Sequence, residues 1–369
     1  MEQIYIERES YQDEIKAIFE RKKVQSVFLV CGHSAEKLEV YLFLKNLFEV
    51  SGIKLTVFQG FESNPDYKAV RKGLSLFQRC QYDFMIAVGG GSAIDVAKCI
   101  KANCEVREDG RVITDQNRDI PFMAVPTTAG SGSEATRFAV LYHNGVKMSV
   151  MCENMLPQYV LLDGKNLDTL PLKQRRASLA DALCHAVESY WSVKSTLESK
   201  EYARRALQIL MENAEEYLSG KESVQSSILQ SANLAGKAIS MTQTTAAHAM
   251  CYKLTSMLHI PHGQAALLCL PEVWEYMDCH KNQCVDDRGE FYLNTVFLEI
   301  AGILGSGNVV DAVIKLKSMR KKWGLEIEIR PDSHRMKSLA EAVNVERLAN
   351  TPVRLTKEDL IKIYSNIFR

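Results

Sequence analysis

No charge of either sign prevails in this chain. Across 369 residues, Lys and Arg total 45 and Asp and Glu total 45, so the formal net charge is zero. A nucleic-acid binder usually carries a basic excess, and that class of partner is set aside. Long hydrophobic runs are missing too. No stretch approaches the ~18 apolar residues of a membrane helix, so no membrane role is expected. The opening residues, MEQIYIERESYQDEIKAIFE, are charged throughout and do not read as an export signal. The 10 cysteines form no CxxC pair and no regular framework. Several, such as Cys269 in AALLCLP, sit in apolar settings and read as free buried thiols, which points to the cytoplasm. Internal repeats and low-complexity segments are also lacking.

What remains is ordinary globular composition, 46% hydrophobic and 24% charged, in a chain long enough for about two domains. The first half alternates short apolar runs with helical patterns. VQSVFLVCG (24–32), KLTVFQGF (54–61), DFMIAVGGG (83–91), PFMAVPTT (121–128) and YVLLDG (159–164) read as strands. Helical spacing fills 34–52, 67–81 and 92–104 between them. This rhythm predicts a parallel sheet with helices on both faces. Residues 139–150 read as a hairpin turning at Asn144-Gly145. Beyond Pro171 helical periodicity dominates to the end, with Thr356 capping the last helix. The expected organisation is an α/β dinucleotide-binding domain over 1–171 and an all-α metal-binding and substrate domain over 172–369.

Two loops of the first half carry phosphate-binding chemistry. In YDFMIAVGGGSAIDVAK (82–98), three glycines stand between a strand and a helix. Glycine lets backbone approach a ligand closely, and a helix start presents free N–H groups and a positive dipole end. The same glycines also suit a tight turn with no ligand, and the spacing is not GxGxxG. PTTAGSGSEAT (126–136), rich in Gly, Ser and Thr, follows another strand. Two such loops at strand C-terminal ends of one sheet can share a crevice for a dinucleotide.

The second half gathers histidines. AAHAMCYKLTSMLHIPHG (246–263) holds three of the eight: His248, His259 and His262. ADALCHAVESYW (180–191) sets Asp181 and His185 one helical turn apart on one face. Any one of these histidines alone is more often a packed or surface residue. Together, three imidazoles (His185, His248, His262) and one carboxylate (Asp181) suit iron(II) or zinc and do not suit calcium. His259 is left outside the ligand set.

AVGGGSAIDVAK, PTTAGSGSEAT, DALCHAVESY and HAMCYKLTSMLHIPHG occur in the order and spacing of the iron-containing (group III) alcohol dehydrogenases, which this chain resembles over nearly its whole length. The resemblance implies the two-domain fold shared with dehydroquinate synthase and glycerol dehydrogenase, with the metal and the nicotinamide in the cleft between the domains. It puts the metal ligands at Asp181, His185, His248 and His262. It puts cofactor contacts at Asn64, Gly90, Gly91, Ser92, Thr127, Thr128 and Lys147. It implies hydride transfer between NADPH or NADH and a small aldehyde held by a divalent metal, Fe(II) or Zn(II), in a homodimer or higher homo-oligomer.

The chain departs from that pattern twice. Where many members carry a histidine one turn past the residue matching His248, this chain has Tyr252, followed by Lys253. Tyrosine can donate a proton but is a weak base at neutral pH, which suits reduction better than oxidation; it can also simply pack. Where NAD-preferring members often place an Asp, VCGHSAEK (30–37) has Gly32. His33, Ser34 and Lys37 could then meet a 2′-phosphate, which leans the reading to NADPH. HAMCYKLTSML and SEATRFAVLY resemble the phosphonoacetaldehyde reductase subgroup, whose anionic substrate needs a cation; Lys253 and Arg137 are the candidates, though either can equally serve a structural ion pair. An ordinary short aldehyde and a non-redox, dehydroquinate synthase-like lyase reaction are the competing readings.

Overall fold

The computed structural model describes residues 3–115, 119–329, 331–343 and 348–368. The chain divides into two compact units, Met1–Leu170 and Pro171–Arg369.

In the first unit the elements run β1 (Ile4–Ile6), α1 (Tyr11–Lys22), β2 (Ser26–Cys31), α2 (Glu39–Ser51), β3 (Lys54–Phe58), α3 (Tyr67–Phe77), β4 (Phe84–Gly89), α4 (Gly91–Lys101), β5 (Glu105–Val106), β6 (Val112–Ile113), β7 (Phe122–Pro126), β8 (Phe138–His143), β9 (Val146–Met151) and β10 (Tyr159–Leu161). Six strands form one parallel sheet in the order β1-β10-β7-β4-β2-β3. Its central strands are apolar at nearly every position because both faces are covered. Phe28, Val30, Met85, Ala87, Phe122 and Ala124 point to the side of α3 and α4. Val27, Leu29, Ile86, Val88, Met123 and Val125 point to the side of α1 and α2. The chain steps outward from β2 to β3, then returns past β2 to β4. The strand order therefore reverses between β2 and β4, where doubly wound sheets open a ligand crevice at the strand C-termini. The expected hairpin is β8-β9, with Asn144 and Gly145 both at positive φ.

One expected element differs. The run 34–52 is not a single helix: a short 3-10 turn at His33–Lys37 precedes α2, and Leu38 between them is extended and buried. The break lets Leu38 and Ala35 both reach the core on the α2 side of the sheet.

The second unit is helical: α5 (Leu172–Trp191), α6 (Leu197–Leu218), α7 (Gln225–Thr242), α8 (Ala246–Leu258), α9 (His262–Cys279), α10 (Gly289–Ile303), α11 (Val309–Lys322), α12 (Ser333–Glu341) and α13 (Lys357–Ile367). Thr356 caps α13 in a reciprocal capping box with Asp359. No helix of the described residues is long and apolar enough to cross a membrane. Helix α5 packs against α6, α7 and α9, and every residue from Leu179 to Trp191 is buried. Asp181, His185 and Glu188 lie in that buried span, and ionisable groups so placed need partners.

Candidate metal centre and nucleotide cradle

Those partners lie on α8 and α9. Position 181 and position 185 share a face of α5, one turn apart. His248 lies in the first turn of α8, and His262 is the first residue of α9. Gly263 brings α9 against α5: a Cβ there would stand 1.9 Å from the Ala177 carbonyl oxygen and 2.7 Å from the Asp181 amide nitrogen. Only glycine permits this approach, and it carries His262 toward Asp181.

Three imidazoles converge on one oxygen of Asp181. From Asp181 Oδ1, His248 Nε2 is 3.3 Å away, His262 Nε2 3.9 Å and His185 Nε2 4.0 Å. The His185 and His248 rings are stacked with centroids 4.5 Å apart. Donor atoms of Asp181, His248 and His262 all lie within 4.8 Å of one another. Donors bound to one ion at ~2.0–2.2 Å stand ~3.3–3.6 Å apart, so this set can close on a first-row divalent metal with small movements. Hard and borderline donors, three imidazoles and a carboxylate, match iron(II) or zinc.

Without a metal the cluster is strongly coupled. Burial pushes Asp181 up, but the neighbouring imidazoles of His185, His262 and His248 outweigh it and hold the carboxyl well below its usual range. Burial disfavours the His248 cation, yet the Glu188 and Asp181 carboxylates prevail and raise it to about 9. Glu188, fully buried, accepts hydrogen bonds from the Thr245 amide (3.0 Å), the Thr245 hydroxyl (2.6 Å) and the His248 amide (3.3 Å), and its other oxygen faces His248 Nδ1. Sequence reading passed over Glu188. The available signal was its spacing, three past His185 and seven past Asp181, which repeats the same helix face.

Tyr252 stacks on the His262 ring at a centroid distance of 5.5 Å, placing it beside the cluster. Lys253 follows on α8, half-buried. Cys251, a turn past His248, touches His262 Nδ1 through sulfur at 3.5 Å. His259 ends α8 in the left-handed conformation and is exposed. Arg137 lies in the first unit and pairs with Glu153.

In the first unit the two Gly-rich loops pack together. A Cβ at Gly90 would meet Thr128 Cγ2 at 3.0 Å, and one at Gly91 would meet Ser131 Oγ at 2.6 Å. Gly89 would meet the Gly32 nitrogen at 3.9 Å, so the β2 and β4 termini adjoin at the reversal of strand order. Helix α4 starts at Gly91 after an extended Gly90, directing its free N–H groups out of the loop. The Asn64 amide bonds Ser92 Oγ at 3.3 Å, which adds that residue to the rim. Thr127 closes the loop base, its amide bonding the Gly89 carbonyl at 3.1 Å. Gly32 opens the turn carrying His33, Ser34 and Lys37, all three exposed. Lys147 is half-buried on β9 and lies in the field of Asp95.

Lys98 joins the two loops and was not legible beforehand. Its fully buried ammonium shares its three N–H groups among four oxygens, Ser133 O (2.6 Å), Ser133 Oγ (3.0 Å), Thr136 Oγ1 (3.0 Å) and Phe138 O (2.7 Å). Ser133 Oγ in turn donates to Asp95 at 2.6 Å. Burial lowers Lys98 to about 8 against the opposing pull of Asp95. The small, flexible-looking 126–136 segment is thereby clamped to α4.

Comparisons with known proteins cover both units. Residues 2–164 match the family model described as iron-containing alcohol dehydrogenase, and residues 176–368 match that of the C-terminal part of the same family. The chain is similar to the phosphonoacetaldehyde reductase of Streptomyces viridochromogenes, 29% identical over 294 residues, or 75% of this chain and 74% of the relative. It is similar to the NADPH-dependent butanol dehydrogenase of Clostridium saccharobutylicum, 25% identical over 338 residues, covering 86% and 85%. Among solved structures, an iron-containing alcohol dehydrogenase from Thermotoga maritima superposes with a TM-score of 0.82 at 27% identity, over 99% of this chain and 97% of that one.

Proposed function

This chain belongs to the iron-containing alcohol dehydrogenase family, and from that premise we propose that it reduces a small anionic aldehyde, phosphonoacetaldehyde being the best fit, with NADPH. The single observation behind the chemistry is the convergence of His185, His248 and His262 on one Asp181 oxygen. A divalent ion held by these four residues supplies a Lewis acid for the aldehyde oxygen, and a bound nicotinamide supplies hydride. The protein's own share is binding, orientation and the proton.

The Gly90–Ser92 turn, Thr127–Thr128 and Asn64 would hold the cofactor diphosphate, with Lys147 as a further contact and the start of α4 supplying free N–H groups. Gly32 presents no carboxylate to a 2′-phosphate, while His33, Ser34 and Lys37 stand exposed to receive one. The acid of that turn, Glu36, is held by Gln59 at 2.9 Å. The NADPH-dependent relative supports this choice. Tyr252, against the His262 ring, holds a proton at Oη for the alcohol oxygen. Lys253, one residue on, is the cation for a phosphonate group. Arg137 is engaged by Glu153 and is the weaker candidate. The name of the Streptomyces relative supports the phosphonate reading. The butanol-oxidising relative matches more of the chain and favours a second reading, an uncharged short aldehyde.

The expected quaternary state is a homodimer or larger, formed in the cytoplasm, with β1, one of the two edge strands of the sheet, as the candidate for pairing. Metal-restored protein assayed with NADPH against phosphonoacetaldehyde, acetaldehyde and propionaldehyde separates the substrate readings. The phosphonate reading requires a strong preference for phosphonoacetaldehyde that Lys253→Met removes. Equal turnover of the uncharged aldehydes discards it.

A further inference from the structure

We propose that Glu188 is a positioning residue that fixes which nitrogen of His248 is offered to the metal. This rests on the reading of Asp181, His185, His248 and His262 as ligands.

Both Glu188 oxygens are committed. Oε1 lies where three donors converge: the Thr245 N–H, the Thr245 hydroxyl and the His248 N–H. The hydroxyl oxygen also accepts the Trp191 indole N–H at 2.9 Å, and its own proton goes to Oε1. Oε2 is thereby left to accept from His248 Nδ1. A ring whose Nδ1 carries the proton presents a lone pair at Nε2, and it is Nε2 that faces Asp181 Oδ1. A neutral imidazole has one bare nitrogen, and the carboxylate decides that it is the one aimed at the ligand cluster.

Glu188→Gln is a directional test. The three donors around Oε1 demand an acceptor, so the amide oxygen must stay there. The amide NH2 then falls against His248 Nδ1 and requires a lone pair from it. The proton moves to Nε2, where it blocks the metal. The substitution is nearly isosteric, so a packing role alone predicts little change.

Full-length metal-free wild type and Glu188→Gln are compared for Co(II) and Zn(II) affinity by chelator competition, for the Co(II) ligand-field spectrum, and for melting temperature without metal. The expected result is a metal-free variant that still folds but melts below wild type, because the charge that raises His248 is gone, with ~10–100-fold weaker metal binding and an altered Co(II) spectrum. A folded variant with wild-type affinity and spectrum overturns the proposal while leaving the ligand set intact. A wild type that binds neither ion overturns the ligand set itself, and this proposal with it. Should Glu188→Gln fail to fold, nitrogen-15 NMR of Zn(II)-loaded wild type decides. A slowly exchanging proton on His248 Nδ1 supports the assignment, and a bare Nδ1 overturns it.

Discussion

Replacing Gly263 by alanine should empty the metal centre without touching a ligand. The added Cβ would lie 1.9 Å from the Ala177 carbonyl oxygen, 2.7 Å from the Asp181 amide nitrogen and 2.8 Å from Asp181 Cβ. Two of these atoms are backbone of α5 and cannot swing aside. Even a tight carbon–oxygen contact of ~3.3 Å needs the first turn of α9 to withdraw by about 1.4 Å. His262 precedes Gly263 and moves with it. A shift of that size is several times the ~0.2 Å scatter of metal–ligand distances. The loss in affinity should therefore exceed the ~10–100-fold typical of disturbing a ligand's hydrogen-bond partner. Overpacking should also cost the metal-free protein about 1–3 kcal/mol. Chelator competition with Zn(II), run beside a thermal melt of the metal-free form, measures both. A Gly263→Ala protein that binds Zn(II) like wild type would show that this close approach does not place His262.

Four further outcomes are expected. His248 in the metal-free state is raised from 6.5 to about 9, so at every pH below about 9 the pocket holds a proton that the metal must displace. Apparent Zn(II) affinity should then climb up to ~tenfold per pH unit from pH 6.5 to about 9, and a flat profile in buffered chelator titrations would count against it. By the same linkage, a raised folded-state pKa stabilises the metal-free protein fully below pH 6.5 and loses that contribution as pH passes 9, about 3 kcal/mol in all, readable as a falling melting temperature. Ser133→Ala deletes the hydroxyl shared by Lys98 and Asp95, and should cost about 1–3 kcal/mol and weaken NADPH binding, measured by calorimetry. Gly32→Asp should shift preference toward NADH by placing a carboxylate against the 2′-phosphate; an unchanged NADPH/NADH ratio of kcat/KM would remove Gly32 from cofactor choice.

The sheet was legible because parallel strands buried on both faces are unbroken apolar runs closed by glycine, as in FMIAVGGG. The break at Leu38 was not, since EKLEVYLFL keeps helical periodicity straight through it. Asp181 and His185 stood out by their one-turn spacing. Glu188 did not, because a glutamate in a helical pattern reads as a solvated face until the helix is known to be enclosed on all sides. Lys98 was hidden for the same reason. Gly263 could be seen as part of HIPHG, but its purpose depends on Ala177 and Asp181 lying against it, a contact no local pattern announces.

In the proposed function, aldehyde reduction depends on an ion held by Asp181, His185, His248 and His262. That dependence is tested most directly by bound-metal content and NADPH oxidation measured together on wild type and His262→Ala, each stripped and then restored anaerobically with Fe(II) or Zn(II). Wild type should hold one ion per chain and turn over only after restoration, with both lost in the variant. Turnover by the stripped protein, or unchanged metal content in His262→Ala, would contradict it.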